Sequence, residues 1–232
     1  MTGAGIVAAH GPSADPAFIA LARAWMANPS KQFVGLVWAG YADMRAAPPV
    51  IDNRDLERSI TQLLEPRIRK AMSGDEPFYI QHGPYEHETM RPPPAQPPQY
   101  DLAFVLRADE RIMWPLEAKI METPKKIAPY VKDVRDEFLT CRYGPFSNSG
   151  AMLGYLLEGE SADALAAIET ALGCRLEPLA EHPGKPGSLS RHDRTVPVGK
   201  GYPARFDCYH LILAWPGLKR AKTDVADGAR GL

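Results

Sequence analysis

The chain has 232 residues, of which 45% are hydrophobic and 24% are charged, a composition typical of a globular domain and unlike that of a disordered segment. Its 27 basic and 28 acidic residues give a formal net charge of −1, so no global positive field exists to hold it on nucleic acid or on an anionic membrane. Its three cysteines form no CxxC pair, which argues against a disulfide framework and against a zinc site.

The beginning of the chain has no basic segment followed by a sustained apolar run, and no stretch of 18 apolar residues occurs anywhere. We therefore expect a cytoplasmic protein that does not bind membranes. The 23 prolines are about twice the usual share, which predicts long proline-rich loops. We interpret residues 91–98 as a stiff connector in preference to a docking segment for a partner module.

The first predicted elements are a helix that begins near residue 16 and a strand formed by the apolar run at residues 33–38. A second helix is expected beyond a cap at Asp52 or Asn53, with a kink at Pro66. The apolar positions of this helix recur at helical spacing: Leu56, Ile60, Leu63, Leu64 and Ile68.

Two acidic residues of this helix fall differently relative to the apolar stripe. At 100° per residue, Glu57 lies inside the stripe and Glu65 lies outside it. A carboxylate on a buried face needs a partner. Glu57 is therefore a candidate metal ligand, provided that the helix packs beside the following strands.

Further along the chain, residues 101–106 and 112–120 are predicted to form a hairpin, because a short polar connector joins them. The remaining predicted elements are a strand at 78–81, a helix at 129–140, a strand at 151–157, a helix at 162–172 with Ser161 as its cap, and a strand at 205–215. Residues 182–202 show no apolar periodicity.

The mixture of strands and crossover helices predicts one α/β domain with a mixed central sheet flanked by helices. We expect its core at about residues 52–215, with an N-terminal extension at 1–51 and a flexible tail at 216–232.

The predicted hairpin also carries the residues with the clearest chemistry. On a strand, residues two apart share a face, so Glu117 and Lys119 point the same way. Hairpin pairing brings Asp101 near Glu117, and two close carboxylates repel each other unless a cation joins them. Oxygen ligands favour Mg²⁺ or Mn²⁺ over zinc. The lysine would orient an attacking water or neutralise charge on a phosphate.

This set of residues resembles the PD-(D/E)xK nuclease superfamily, the restriction-endonuclease-like fold, over residues 52–160. The resemblance implies that Asp101, Glu117 and Glu57 are catalytic acids that bind Mg²⁺, with Mn²⁺ as a substitute, that Ala118 is a further metal ligand, and that Lys119 assists phosphodiester hydrolysis. A first departure from the family pattern is that Tyr100 stands where the motif has proline.

A second departure is Pro115 within the second strand of the hairpin. Proline cannot donate a ladder hydrogen bond, so it predicts an edge strand or a bulge at this position.

Basic and aromatic residues near the motif are candidate contacts to substrate. They are Lys125, Lys126, Tyr130, Lys132 and Arg191, with Arg135, Arg194, Lys200 and Arg205 in the same two regions. A solvated basic face is the competing interpretation of each group. His82 and His87, with Glu86 and Glu88, lie on a proline-flanked loop and are not interpreted as a metal site.

The sequence therefore predicts a Mg²⁺-dependent nuclease, in particular a DNA endonuclease of restriction or anti-phage defence type. The alternative is a catalytically inactive nuclease-like module that binds nucleic acid or a protein partner. Cutting both strands of a duplex favours a homodimer or a partner subunit. Lys119→Ala is expected to abolish cleavage and to leave folding intact.

Overall fold

The computed structural model describes residues 16–25, 27–51, 55–89 and 96–218. The predicted cap residues Asp52 and Asn53, residues 91–95 of the proline-rich segment and residues 219–232 of the expected tail lie outside this described part. The helices are α1 (Pro16–Trp25), α2 (Gly35–Ala46), α3 (Leu56–Ala71), α4 (Ala128–Asp133) and α5 (Ser161–Leu172), with π-helical segments at Ser30–Val34 and Val134–Phe138. The strands are β1 (Phe78–His82), β2 (Leu102–Leu106), β3 (Met113–Met121), β4 (Ser149–Leu156), β5 (Glu177–Pro178), β6 (Gly187–Asp193) and β7 (Arg205–Ala214).

The strands form one seven-stranded mixed sheet in the order β1-β2-β3-β4-β7-β6-β5. The strands β3, β4 and β7 run parallel, and the remaining neighbours are antiparallel. The α4 segment connects β3 to β4, as a parallel pair requires. The β2–β3 hairpin is confirmed, with Leu102 opposite Leu116. The chain is therefore an α/β protein with a mixed sheet.

Helices cover both faces of the sheet and bury two apolar clusters. On one face, α2 and α3 contribute Val37 and Leu64 to a cluster with Leu116 of β3. On the other face, α4 and α5 place Val131 and Ile168 against the sheet. The strand β4 is buried along its whole length, as expected for a strand covered on both sides. None of the helices within the described ranges combines the length and the apolarity that crossing a membrane requires.

The strand predicted at residues 33–38 is wrong, because these residues belong to a π-helical segment and to α2. Phe33, Val34, Val37 and Trp38 are buried, whereas the residues between the two pairs are only partly buried. This spacing is that of one helical face, so a short apolar run was misread as a strand. Although these residues lie in the predicted N-terminal extension, they pack in the main core.

The helix α3 begins one residue after Asp55, whose side chain accepts a hydrogen bond from the Arg58 backbone N–H at 3.3 Å. It continues through Pro66 to Ala71. The predicted exposure of Glu65 is wrong: Glu65 is 8% exposed and pairs with Arg69 one turn later. The buried face of α3 is therefore rotated relative to the predicted stripe, and Glu57 lies at its margin.

As a whole β3 is not an edge strand, since it lies between β2 and β4, but the prediction of an edge holds locally at Pro115. Pairing with β4 begins only at Leu116, one residue after the proline. The missing N–H of Pro115 therefore falls where β3 has only β2 as a neighbour.

Two further differences lie in the second half of the chain. The strands β5 and β6 were not predicted, because β6 carries polar residues such as Arg191 and His192 and shows no clear alternation. The predicted cap Ser161 is the first residue of α5, and the N-cap position is Glu160, whose side chain makes no capping hydrogen bond.

Candidate active site

The two acids nearest the hairpin are held by backbone N–H groups of β3. The strand β2 pairs with β3 only as far as Leu116, so the next N–H groups on that side of β3 have no strand partner. The Ala118 N–H donates to Asp101 Oδ2 at 2.7 Å, and the Ile120 N–H donates to Glu57 Oε2 at 2.9 Å. Because β2 begins only at Leu102, these free N–H groups hold Asp101 from the loop before β2 and Glu57 from α3.

Lys119 lies at the centre of an acidic group. Its Nζ is 2.7 Å from Glu117 Oε1 and donates to the Ala118 carbonyl at 2.8 Å. The same Nζ lies 3.0 Å from Asp133 Oδ2 and 3.4 Å from Glu57 Oε1. The lysine side chain is only 17% exposed, so these contacts are poorly screened by solvent. The ammonium group thus contacts three carboxylates, whose combined negative charge its single positive charge offsets only in part.

Glu117 is the most buried acid of the group, at 6% exposure. Its Oε1 bonds Lys119, but its Oε2 is buried and has no hydrogen-bond partner among the described residues. The Asp101 carboxyl lies beside it: burial raises the pKa of Asp101, and the interaction with Glu117 is one of several that oppose this rise. Two neighbouring carboxyls with an unpaired buried oxygen form a site that a proton or a cation can fill.

The pKa values at this site reflect burial first and neighbouring charges second. Burial raises the pKa of Glu117 well above its ordinary value, and the nearby Asp101 charge raises it further. Burial also raises the pKa of Asp101 and of Glu57. For Lys119, burial acts to lower the pKa, but the Glu117, Glu57 and Asp101 carboxylates raise it above the ordinary value. Lys119 therefore stays protonated at neutral pH and cannot act as a general base there.

A cleft of about 220 Å³ opens beside these acids. Asp101, Glu57 and Tyr100 line it, together with Asp55, Arg58, His82, Gly83 and Gln99. At least two of the candidate acids are thus reachable from solvent.

Comparison with known proteins gave no match. No family model, no curated protein and no solved structure matches the chain. The chemical interpretation of this site therefore depends on its geometry and on the motif residues themselves.

Only part of the acidic group fits the Mg²⁺ or Mn²⁺ ion that the sequence predicts. Among the described residues, no group of three or more His, Cys, Asp or Glu side chains is arranged to hold a metal ion. The pair Asp101 and Glu117 still fits Mg²⁺ or Mn²⁺, because these ions take oxygen donors and Mg²⁺ commonly uses one or two protein carboxylates. Glu57 does not join this pair: its oxygens bond Ile120 and Lys119. The Ala118 carbonyl likewise accepts from Lys119.

The structure adds Asp133 to the site, a residue that the sequence analysis missed. Asp133 ends α4 and lies three residues after the buried Tyr130 and one before the buried Val134. Asp133 thus lies at the margin of the buried face of α4, where a side chain can reach the neighbouring strand, and this position is the sequence feature that could have predicted its role. His82 and Arg58 line the cleft and were also not proposed as site residues.

The predicted basic contacts lie on exposed surface. Lys125 is exposed in the turn after β3. Lys126, Lys132 and Arg191 are exposed and form ion pairs with Glu122, Asp136 and Glu177, respectively. Each of these three cations would have to leave a carboxylate before it could bind a phosphate.

Two residues of the predicted substrate surface are buried instead. Tyr130 is fully buried, and its hydroxyl hydrogen-bonds His210 Nδ1 at 2.8 Å, so the prediction that it lines the cleft is wrong. Arg194 is 7% exposed and donates to four backbone carbonyls, those of Phe138, Tyr143, Gly144 and Ser147. Its charge is used to hold the segment between α4 and β4, and it is not available to a phosphate.

Proposed function

We propose that this protein is a Mg²⁺-dependent nuclease with a restriction-endonuclease-like arrangement of its sheet, and that it hydrolyses phosphodiester bonds of DNA. The observation that carries the proposal is the pair Asp101 and Glu117, whose pKa values are both raised above ordinary values and which includes a buried oxygen with no donor among the described residues. Such perturbed, clustered acids are typical of functional sites, and Asp101 lines the cleft. A protonated lysine on the same strand adds the positive charge that phosphoryl chemistry requires.

The roles of the residues follow from their contacts. Asp101 and Glu117 would hold Mg²⁺ or Mn²⁺, which, when bound, polarises a phosphate oxygen and lowers the pKa of a coordinated water. Lys119 stays protonated, and its positive charge beside the acid pair stabilises the negative charge that builds up on the phosphate as water attacks. The oxygen of the attacking water forms a new P–O bond and releases its proton to solvent. The P–O bond to the leaving group breaks with its electron pair on the leaving oxygen, which takes a proton from solvent.

The outer acids position this lysine. Glu57 and Asp133 contact Lys119 Nζ from α3 and from α4, so the ammonium is held from two helices. Glu57 is also anchored by the Ile120 N–H. We assign to both acids the positioning of Lys119.

The test is a cleavage assay on the full chain with plasmid, linear duplex, single-stranded DNA and RNA, each in Mg²⁺, in Mn²⁺ and in chelator. Glu117→Gln is the inactivating variant, because glutamine keeps the size of the side chain and removes its charge. Glu158→Gln is the matched control, since Glu158 is exposed in the loop after β4. We expect metal-dependent cutting by the wild type and by Glu158→Gln, and none by Glu117→Gln.

The outcomes separate the two functions. Cutting of RNA alone would change the proposed substrate from DNA to RNA and would still support metal-dependent phosphodiester hydrolysis. Folded protein that binds nucleic acid equally well in chelator and cuts none of the four substrates would refute the nuclease proposal. That result would support the alternative of an inactive nuclease-like binding module.

A further inference from the structure

A second cavity, of about 630 Å³, lies on the face of the sheet that carries Glu117. Its floor includes Val105 of β2 and Met113 of β3, which are paired across the hairpin, and Phe146 adds an aromatic ring. Strand alternation places Asp101 and Val105 on the same side, and likewise Met113 and Glu117. The volume falls in the range of small-molecule sites.

The cavity adjoins the cleft of the candidate active site. Gly83 lines both, and its backbone N–H donates to the Asp101 carbonyl at 3.0 Å. Asp101 and Val105 are four residues apart on one strand, about 14 Å. A nucleic-acid strand bound with a phosphate at the acids could therefore place a neighbouring nucleotide over the cavity.

The charged groups of the cavity are mostly acidic. Glu86, Glu88 and Glu110 line it, against Arg111 and His87 as potential cations, and Glu88 is itself paired with Lys200 at 2.8 Å. Arg111 is itself paired with Asp109 through two hydrogen bonds. A phosphate would meet repulsion here, whereas an apolar ring that carries N–H donors at its edge matches both the floor and the acids.

Glu86 is the acid best placed to recognise such a ring. It is 3% exposed, and its carboxyl accepts from the Tyr100 hydroxyl at 2.5 Å and from the Glu88 backbone N–H at 2.9 Å. Each oxygen thus has one neutral donor and retains acceptor capacity. Within the described part of the chain no lysine, arginine or histidine pairs with it, and burial raises its pKa to about 7.

The backbone amide of Gly144 fixes this arrangement by donating to the Tyr100 hydroxyl at 2.8 Å. Tyr100 is the residue before Asp101, so one short segment connects the Glu86 carboxyl to the candidate metal site.

We propose that this cavity binds an unstacked guanine base near the scissile phosphate, with the Glu86 carboxyl accepting hydrogen bonds from the N1–H and the 2-amino group of the base. The inference rests on the proposed nuclease function and names a base preference for the same site. Guanine is chosen because its two donors lie side by side, as a carboxylate requires.

The test measures binding in chelator at about pH 8, so that it does not depend on cutting. Fluorescence anisotropy gives the Kd of the full chain for thymidine strands of about 12 nucleotides that carry a central guanine, hypoxanthine or thymine. Guanosine monophosphate is titrated separately. Hypoxanthine keeps N1–H and lacks the 2-amino group, so it isolates the second hydrogen bond.

We expect the wild type to prefer the guanine strand over the thymine strand by about tenfold, with hypoxanthine between them. Glu86→Gln should reduce the preference to about twofold or less, and the exposed control Glu158→Gln should keep it. Gln81→Trp changes a half-buried residue of the cavity wall and should abolish the preference by filling the cavity. Circular dichroism and a thermal melt establish that each variant is folded.

Equal affinity of the wild type for the three strands would overturn the inference, as would an unchanged preference in folded Glu86→Gln. A Glu86-dependent affinity for the free mononucleotide without any preference among strands would also overturn it, since the ligand would then be a nucleotide and not a base in a strand. Guanine preference without cutting would refute the nuclease and leave the base site. Cutting without guanine preference would refute the base site and leave the nuclease function in place.

Discussion

Replacing Lys119 by methionine removes one positive charge and nearly preserves the length of the side chain. In the wild type this ammonium contacts Glu117, Asp133 and Glu57 at 2.7, 3.0 and 3.4 Å. Without it, the largely buried Glu117 has no cation partner. The variant should therefore lose stability in the absence of metal, contrary to the expectation from sequence that Lys119→Ala leaves folding intact.

The magnitude follows from the burial of the group. Removing one partner of a buried ion pair costs about 3–5 kcal/mol, because the remaining charge is left uncompensated. Lys119 is 17% exposed and Glu117 side-chain exposure is 8%, so screening by solvent reduces this value only slightly. For a domain of this size about 1 kcal/mol lowers Tm by roughly 2–4 °C, so the expected fall is about 6–20 °C.

The loss should depend on pH, and its sign follows from the pKa of Glu117. Burial and Asp101 already raise this pKa, and removing the lysine raises it further. A group whose pKa is raised on folding destabilises the native state only while it is ionised, so the penalty is present at high pH and disappears as pH falls through the folded-state pKa. The Tm difference between variant and wild type should therefore be large at about pH 8 and small at about pH 5.

Differential scanning calorimetry of both proteins in chelator measures this difference. Lys126→Met is the control, because Lys126 is an exposed lysine paired with Glu122 on the surface, and it should melt like the wild type. Adding Mg²⁺ should stabilise Lys119→Met more than the wild type, since the ion would replace the missing charge. Equal Tm values for Lys119→Met and wild type at about pH 8 would show that the lysine does not hold the acids together.

Three further predictions address the same site and the hydrogen bond between Tyr130 and His210. Glu117→Gln should have a Tm in chelator at or above that of the wild type near pH 8, because the substitution removes a buried charge beside Asp101. The variant should also lose metal-dependent cutting. A Tm several degrees below the wild-type value would contradict the charge argument. Burial raises the pKa of both Asp101 and Glu117, so both acids take up protons at a higher pH than exposed carboxylates do. The cutting rate should therefore begin to fall at a correspondingly higher pH as the solution is acidified. Because Mg²⁺ competes with protons for these acids, more Mg²⁺ should move this fall in rate to lower pH. Tyr130→Phe should reduce the free energy of unfolding in urea by about 1–3 kcal/mol, because it leaves His210 Nδ1 without its partner, and unchanged nucleic-acid affinity would separate this role from substrate binding.

The hairpin and its motif were accessible from the sequence because they depend on local rules. Alternation along β3 places Glu117 and Lys119 on one face, and the short connector forces β2 back alongside β3. These two facts suffice to bring Asp101 near Glu117. The helical periodicity of the apolar residues in α3 also identified Glu57 as a candidate site residue, but it did not identify its partners, the Ile120 N–H and Lys119.

Other features depended on contacts between distant parts of the chain. Asp133 meets Lys119 only because α4 packs on β3, and Glu57 meets the Ile120 N–H only because β2 begins at Leu102 and does not extend opposite Ile120. The same holds for Tyr130, whose polar hydroxyl is buried because His210 lies on the neighbouring β7 to receive it.

The sequence by itself determined the hairpin, the face shared by Glu117 and Lys119, and the approach of Asp101, because strand geometry and a short turn leave no other arrangement. Only the tertiary structure decided which charges are free. Arg194 binds four backbone carbonyls, and Lys126, Lys132 and Arg191 pair with surface acids. The buried Glu117 Oε2 has no hydrogen-bond partner in the described part of the chain. The physical reason is that charge and hydrogen-bonding capacity are local properties of a residue, whereas burial and pairing depend on what the rest of the chain packs against it.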